Sequence, residues 1–152
     1  MMEHADKIPN KAPTEAHPIE VKNSQGEVYI KLFAKNDYMV AKRSGHLTAD
    51  DVVKAATAFL ELLKHYPCTK LLNDKTEVTG DWQDANDWLQ FEWAPAAAAA
   101  GLKCMVHVYS PDMITSFSQH DFFSREVNYI KLAEFTELEE AETWLSHCKT
   151  NL

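Results

Sequence analysis

The chain has 152 residues, 45% of them hydrophobic and 25% charged, which suits one globular domain whose core needs neither disulfide nor metal. A formal charge of −8, with Lys and Arg scattered along the chain, argues against a nucleic-acid binder, which has to neutralise phosphate. No apolar run approaches the roughly 18 residues of a membrane span. The start, Met1-Met2-Glu3-His4-Ala5-Asp6, has neither the basic nor the apolar part of a signal peptide, so a cytoplasmic protein is expected.

Residues 1–18 hold Pro9, Pro13 and Pro18 among polar residues and predict a disordered tail ahead of a single domain over 19–152. Val28, Ile30 and Leu32 then alternate with Tyr29, Lys31 and Phe33, the period of a half-buried strand. Lys35-Asn36-Asp37 supplies a turn, Tyr38 to Lys42 runs back, and Gly45 ends the hairpin. Thr48 and Asp51 make a capping box for a helix with Val52, Ala56, Phe59, Leu60 and Leu63 on one face. Lys64 and His65 suit its C-terminal dipole, and Pro67 blocks continuation.

Thr69 to Leu72 predicts a short strand ending in Asn73-Asp74, followed by a polar loop to Gly80. A second helix opens at Asp81, with Trp82, Ala85, Leu89 and Trp93 recurring at helical spacing. Pro95 must kink or restart it, and Gly101 stops it. Leu102 to Tyr109 predicts a central strand, Cys104, Val106 and Val108 on one side and Met105, His107 and Tyr109 on the other. Ser110-Pro111-Asp112 starts a third helix anchored by Ile114 and Phe117. Val127 to Leu132 is the last strand. Thr136 and Glu139 cap a last helix that turns Leu138, Ala141, Leu145 and Cys148 inward.

The expected fold is α/β: a mixed, mostly parallel sheet of about five strands with four helices, in the order β-β-α-β-α-β-α-β-α. Cys68, Cys104 and Cys148 form no CxxC pair, and reduced, buried thiols are the expected state.

Leu71-Leu72-Asn73-Asp74, the Trp82/Trp88/Trp93-Ala94-Pro95 helix, Ala100-Gly101-Leu102-Lys103 and Ala141-Glu142-Thr143-Trp144-Leu145 give the chain a family likeness. Over about residues 28–147 it resembles the SpoIIAA-like, or STAS-type, domains, in particular short stand-alone bacterial ones. That resemblance implies a regulatory domain that binds partner proteins. In the anti-sigma-factor antagonists of the family a switch serine precedes the second helix. Here the stretch reads Glu77-Val78-Thr79-Gly80-Asp81, without serine, so the phosphoswitch is not carried over.

Catalytic chemistry has no signature in the chain. The seven histidines form neither HxH nor HExxH, no GxSxG occurs, and four glycines make no phosphate loop. No catalytic residue, metal ligand or cofactor is assigned. Asp74 and Asp81 near a strand end read more simply as a loop hydrogen bond and a helix cap than as a metal pair. The candidate binding residues are Asn73, Asp74, Trp88 and Phe91. Trp88 lies about 100° and Phe91 about 160° from the apolar face of the second helix, where aromatics mark a partner surface unless a loop such as Phe122-Phe123 covers them. Two functions are expected: a non-enzymatic interaction domain, with a homodimer through the second helix as one form, or a small-molecule or lipid binder with an apolar pocket beside that helix.

Overall fold

Three antiparallel strands open the sheet: β1 (Ile19–Lys22), β2 (Val28–Lys35) and β3 (Tyr38–Leu47). They belong to a computed structural model that describes residues 11–113 and 129–150. Strands β4 (Lys70–Gly80), β5 (Cys104–Tyr109) and β6 (Lys131–Phe135) continue the sheet in parallel, so six strands lie side by side in chain order. The added strand is β1, where Ile19 and Val21 alone carry the alternation, too few for a periodic signal. Ile19 lies opposite Leu32 and Val21 opposite Ile30. Just ahead of it, the Pro13 carbonyl accepts from the Ala34 N–H at 2.8 Å.

Polarity misleads along β3 and β4. β3 does not end at Gly45 but passes through it at φ +93°, and β4 runs through the whole stretch expected as a loop. The two strands pair in parallel from Met39–Leu71 to Leu47–Gly80, and main-chain pairing is indifferent to side-chain polarity. A bulge interrupts them: Lys42 faces Asp74 while Ser44 faces Glu77, so β4 carries one extra residue. The extra residue resets the alternation. Leu71, Asn73 and Lys75 look to one face, and Val78 returns to it.

Helix α1 (Ala49–His65) follows β3 and starts on the expected capping box. Thr48 Oγ1 accepts from the Asp51 N–H, and Asp51 Oδ2 accepts from the Thr48 N–H. Val52, Ala56, Phe59 and Leu63 are buried as the spacing predicts; Leu60 is half-buried. After β4 comes a composite helix, α2, over 83–99. It begins as a 3-10 turn (Gln83–Ala85), makes one α turn (Asn86–Trp88), widens into a π turn (Leu89–Trp93) and ends as an α-helix (Ala94–Ala99). The π turn sits where Pro95 cannot donate, and the Ala94 N–H reaches back to the Leu89 carbonyl. Gly101, at φ +117°, ends the helix, with the Leu102 N–H on the Ala97 carbonyl at 3.0 Å.

Helix α3 (Leu138–His147) closes the chain. Its N-cap is Glu137 with no side-chain cap bond, so Thr136 does not cap it; Leu138 is 43% exposed, whereas Ala141 and Leu145 are fully buried. The expected third helix, with Ile114 and Phe117, lies outside the described residues, as does Val127. The last strand begins at Lys131, four residues later than predicted.

Two cores sandwich the sheet. Ile30, Leu32, Met39, Ala41, Leu71, Met105 and Tyr109 meet α1 and α2 on one face. Phe33, Val40, Leu72, Val106 and Val108 meet α3 on the other. The alternation read in β5 is the alternation observed, and all six of its residues are buried. Cys104 and Cys148 correct the expectation of reduced thiols. Both belong to the α3 side, 6.5 Å apart between Cα atoms, and a disulfide joins them. Cys68 remains a thiol, and burial pushes its pKa up. Among the described residues no helix is long and apolar enough to cross a membrane.

Candidate functional site

A cavity of about 40 Å³ lies between the sheet and the helices on the α1–α2 side. Three neighbouring strands build its floor. β3 contributes Arg43, two steps beyond the core residue Ala41; β4 contributes Leu71, Asn73 and Lys75; β5 contributes Met105 and His107. Period-two alternation alone brings these side chains to one face. Val52, Ala56 and Phe59 of α1 form one wall, while Trp82, Leu89 and Trp93 form the roof. Leu89 and Trp93 are the two ends of the π turn, so the irregularity that accommodates Pro95 also sets the roof.

The floor is polar although it is buried. Arg43 is 8% exposed, Lys75 6%, His107 3% and Asn73 2%. Arg43 Nη2 donates to Asn73 Oδ1 at 3.0 Å across the β3–β4 pair. The Lys75 ammonium stands 5.4 Å from the Trp82 ring centre and 5.7 Å from that of Tyr109, a cation held between two aromatic faces. The His107 ring stacks on Tyr109 with 6.1 Å between centres. Trp93 is tied down by its indole N–H, which donates to the Ala56 carbonyl at 2.9 Å. That bond ties the roof to the wall.

The sequence-derived candidates are scattered by the fold. Asn73 is part of this floor. Asp74, next along the strand, faces away from it, and its Oδ1 accepts from the Thr76 hydroxyl at 2.7 Å and the Thr76 N–H at 3.1 Å. Neither stands at a strand end, since β4 continues to Gly80. Asp81 accepts from the Gln83 N–H in a local turn, but the N-cap of α2 is Trp82 with no side-chain cap bond, so Asp81 is not the expected cap. Trp88 is half-buried and packs against the core, whereas Phe91 is 64% exposed. Phe122-Phe123, the loop considered as their cover, lies outside the described residues. Thr79 pairs in register with His46, its hydroxyl 3.1 Å from His46 Nδ1.

Arg43, Lys75 and His107 complete the polar floor and are not among the candidates read from the sequence. The β5 alternation already turned His107 inward, and extending the β3 alternation past Lys42 reaches Arg43. Lys75 lies in the stretch of β4 whose polarity predicts a loop. Among the described residues no group of three or more His, Cys, Asp or Glu side chains is gathered as a metal site.

No family model matches the chain. No curated protein matches it in sequence. Solved structures do resemble it. One is an uncharacterised protein of the DUF3478 family with a SpoIIAA-like fold from Shewanella loihica PV-4, at 18% identity and TM-score 0.48, covering 76% of this chain and 91% of that one. Another is the Bacillus cell fate determinant SpoIIAA in its phosphorylated form, at 15% identity and TM-score 0.43, covering 75% and 96%. The sheet of this chain, read from its own strand pairing, is mixed and mostly parallel.

Proposed function

We propose that this chain is a non-enzymatic regulatory domain that holds a small molecule in the cavity beneath α2. The observation that carries this reading is the cavity itself, with a buried polar floor under an aromatic roof. Ligand pockets combine apolar walls with a few placed polar groups in this way. At about 40 Å³ the space holds roughly three water-sized groups, which favours a small ligand over a lipid chain. Occupancy would be felt at once by α2, because Trp82, Leu89 and Trp93 belong both to the cavity and to the helix core. Native mass spectrometry of the purified full chain tests the proposal. A retained mass that leaves on denaturation is expected, and a clean apo mass together with no thermal shift across a small-molecule panel would count against it.

A second reading, an interaction domain that meets a protein partner or a second copy through α2, is favoured by Phe91. Its ring is 64% exposed on the same helix whose other face roofs the cavity. The same spectra report oligomeric state and so weigh this reading too.

A further inference from the structure

On the face of the sheet away from the cavity, α3 is held by few side chains and one covalent bond. Of its ten residues only Ala141 and Leu145 are buried, and its N-cap, Glu137, makes no side-chain cap bond. Lys35 and Tyr38 reach Glu142 in its middle, and Lys70 Nζ donates to the Ser146 carbonyl at 3.3 Å near its end. Directly after the helix, Cys148 is bonded to Cys104 at the start of β5. A helix this short has little stability of its own, so its attachments decide whether it forms.

The two sulfurs are unequal. Cys104 is wholly buried, whereas Cys148 is half-buried. An incoming thiolate therefore meets Cys148, and Cys104 is the sulfur that leaves. Lysines surround the bond, although the chain as a whole carries a formal charge of −8. Lys103 precedes Cys104, Lys149 follows Cys148, and Lys131 of β6 stands in register with Cys104. Lys70, in register on the other side, is paired with Asp37. Lys131 Nζ donates to the Lys149 carbonyl at 3.0 Å, and that oxygen lies 3.9 Å from Cys104 Sγ. An ammonium so close stabilises a departing thiolate, and a better leaving group speeds exchange.

We infer that the Cys104–Cys148 disulfide is a reactive site that dithiols open in the folded protein, releasing α3 from the sheet. One thiolate of the dithiol attacks Cys148 Sγ; the S–S bond breaks and its electron pair leaves on Cys104. The second thiol of the reagent then closes on the first sulfur and frees Cys148. The dithiol gives up two electrons, and its two protons end on the two cysteines. Without the bond, α3 no longer covers Phe33, Leu72 and Val106. The α1–α2 core lies on the opposite face and keeps its packing, so the site is independent of the cavity.

The test treats the full chain with dithiothreitol and no denaturant. Alkylation counts the free thiols, which should rise from Cys68 alone to all three cysteines. At short labelling times, hydrogen exchange across residues 138–147 should then rise about tenfold or more while α1 stays protected. An apolar dye should bind the reduced protein and not the oxidised one. Cys148→Ser should show the same exchange pattern without reductant; should that variant unfold, the reduced wild type still decides. Lys131→Gln, at constant ionic strength, should slow the opening about threefold or more. Opening that comes only as α1 loses protection overturns the inference, since the bond is then a static brace reached through global unfolding. Opening that leaves α3 protected overturns it as well, because the bond then holds nothing in place. An equal rate in Lys131→Gln overturns the part given to that lysine.

Discussion

Gly80 closes β4 at φ +120°, and a Cβ there would run into the backbone of Leu47, its carbonyl oxygen first. Positive φ and a close backbone approach both demand glycine. Gly80→Ala should therefore cost about 2 kcal/mol or more and lower the melting temperature by several degrees. An unchanged melt would show that the β3–β4 ends part more easily than this geometry implies. Trp93 offers a milder test on the cavity itself. Trp93→Phe keeps an aromatic roof but removes the bond to the Ala56 carbonyl, so a loss of about 1 kcal/mol is expected by chemical denaturation. Larger damage would mean that the indole's bulk, rather than its N–H, holds α2 to α1.

Among the elements, α2 separates its faces most sharply. Phe91→Ser should change the stability of the isolated protein by no more than about 0.5 kcal/mol, because the ring is mostly in solvent, whereas Leu89→Ala should cost about 2–5 kcal/mol. Equal effects would place Phe91 under a cover. Helix α3 depends on a covalent tie instead. The Cys104–Cys148 disulfide closes a separation of 44 residues, and chain entropy alone sets its contribution near 4 kcal/mol. Cys148→Ser should lower stability toward that extent, read by thermal melts with and without reductant. The same elements show what was legible. Apolar periodicity located β2, α1, β5 and the buried face of α2, since each buries a regular stripe. It failed at β1, which has two apolar residues, and along residues 73–80, where backbone pairing with β3 forms a strand that side-chain polarity conceals. The disulfide was illegible because only folding brings β5 beside the end of α3.

At the scale of the whole molecule the fold class was readable and the site was not. Alternation of strands and helices is enough to predict a mostly parallel sheet with two cores, but Lys75 reaches the cavity from a stretch whose polarity predicts a loop, and the return of β4 to the core at Val78 depends on a bulge. Without the extra residue in β4, Lys75 and Val78 could not share a face, and nothing in the local sequence announces it. Both helical layers are, however, fastened to the sheet by one recognisable device, a part-buried tyrosine hydroxyl. Tyr29 of β2 donates to the Asp51 carbonyl of α1 at 2.8 Å, and Tyr38 of β3 donates to Glu142 Oε2 of α3 at 2.9 Å. Burial pushes both phenols up, Tyr38 to about 12 with help from its bond to Glu142 and that carboxylate's charge, and Tyr29 further. Unfolded, each would ionise near its ordinary value of about 10. The folded chain thus keeps these protons longer than the unfolded chain does. Their contribution to stability is whole below about pH 10 and is lost as pH climbs from there through about 12. Melting temperature should accordingly hold level between pH 8 and 10 as far as these groups decide it, then fall steeply. Tyr38→Phe should start lower at pH 8, for want of the bond to Glu142, and show a shallower alkaline decline. An alkaline slope identical in the wild type and the variant would mean that Tyr38 does not carry this dependence.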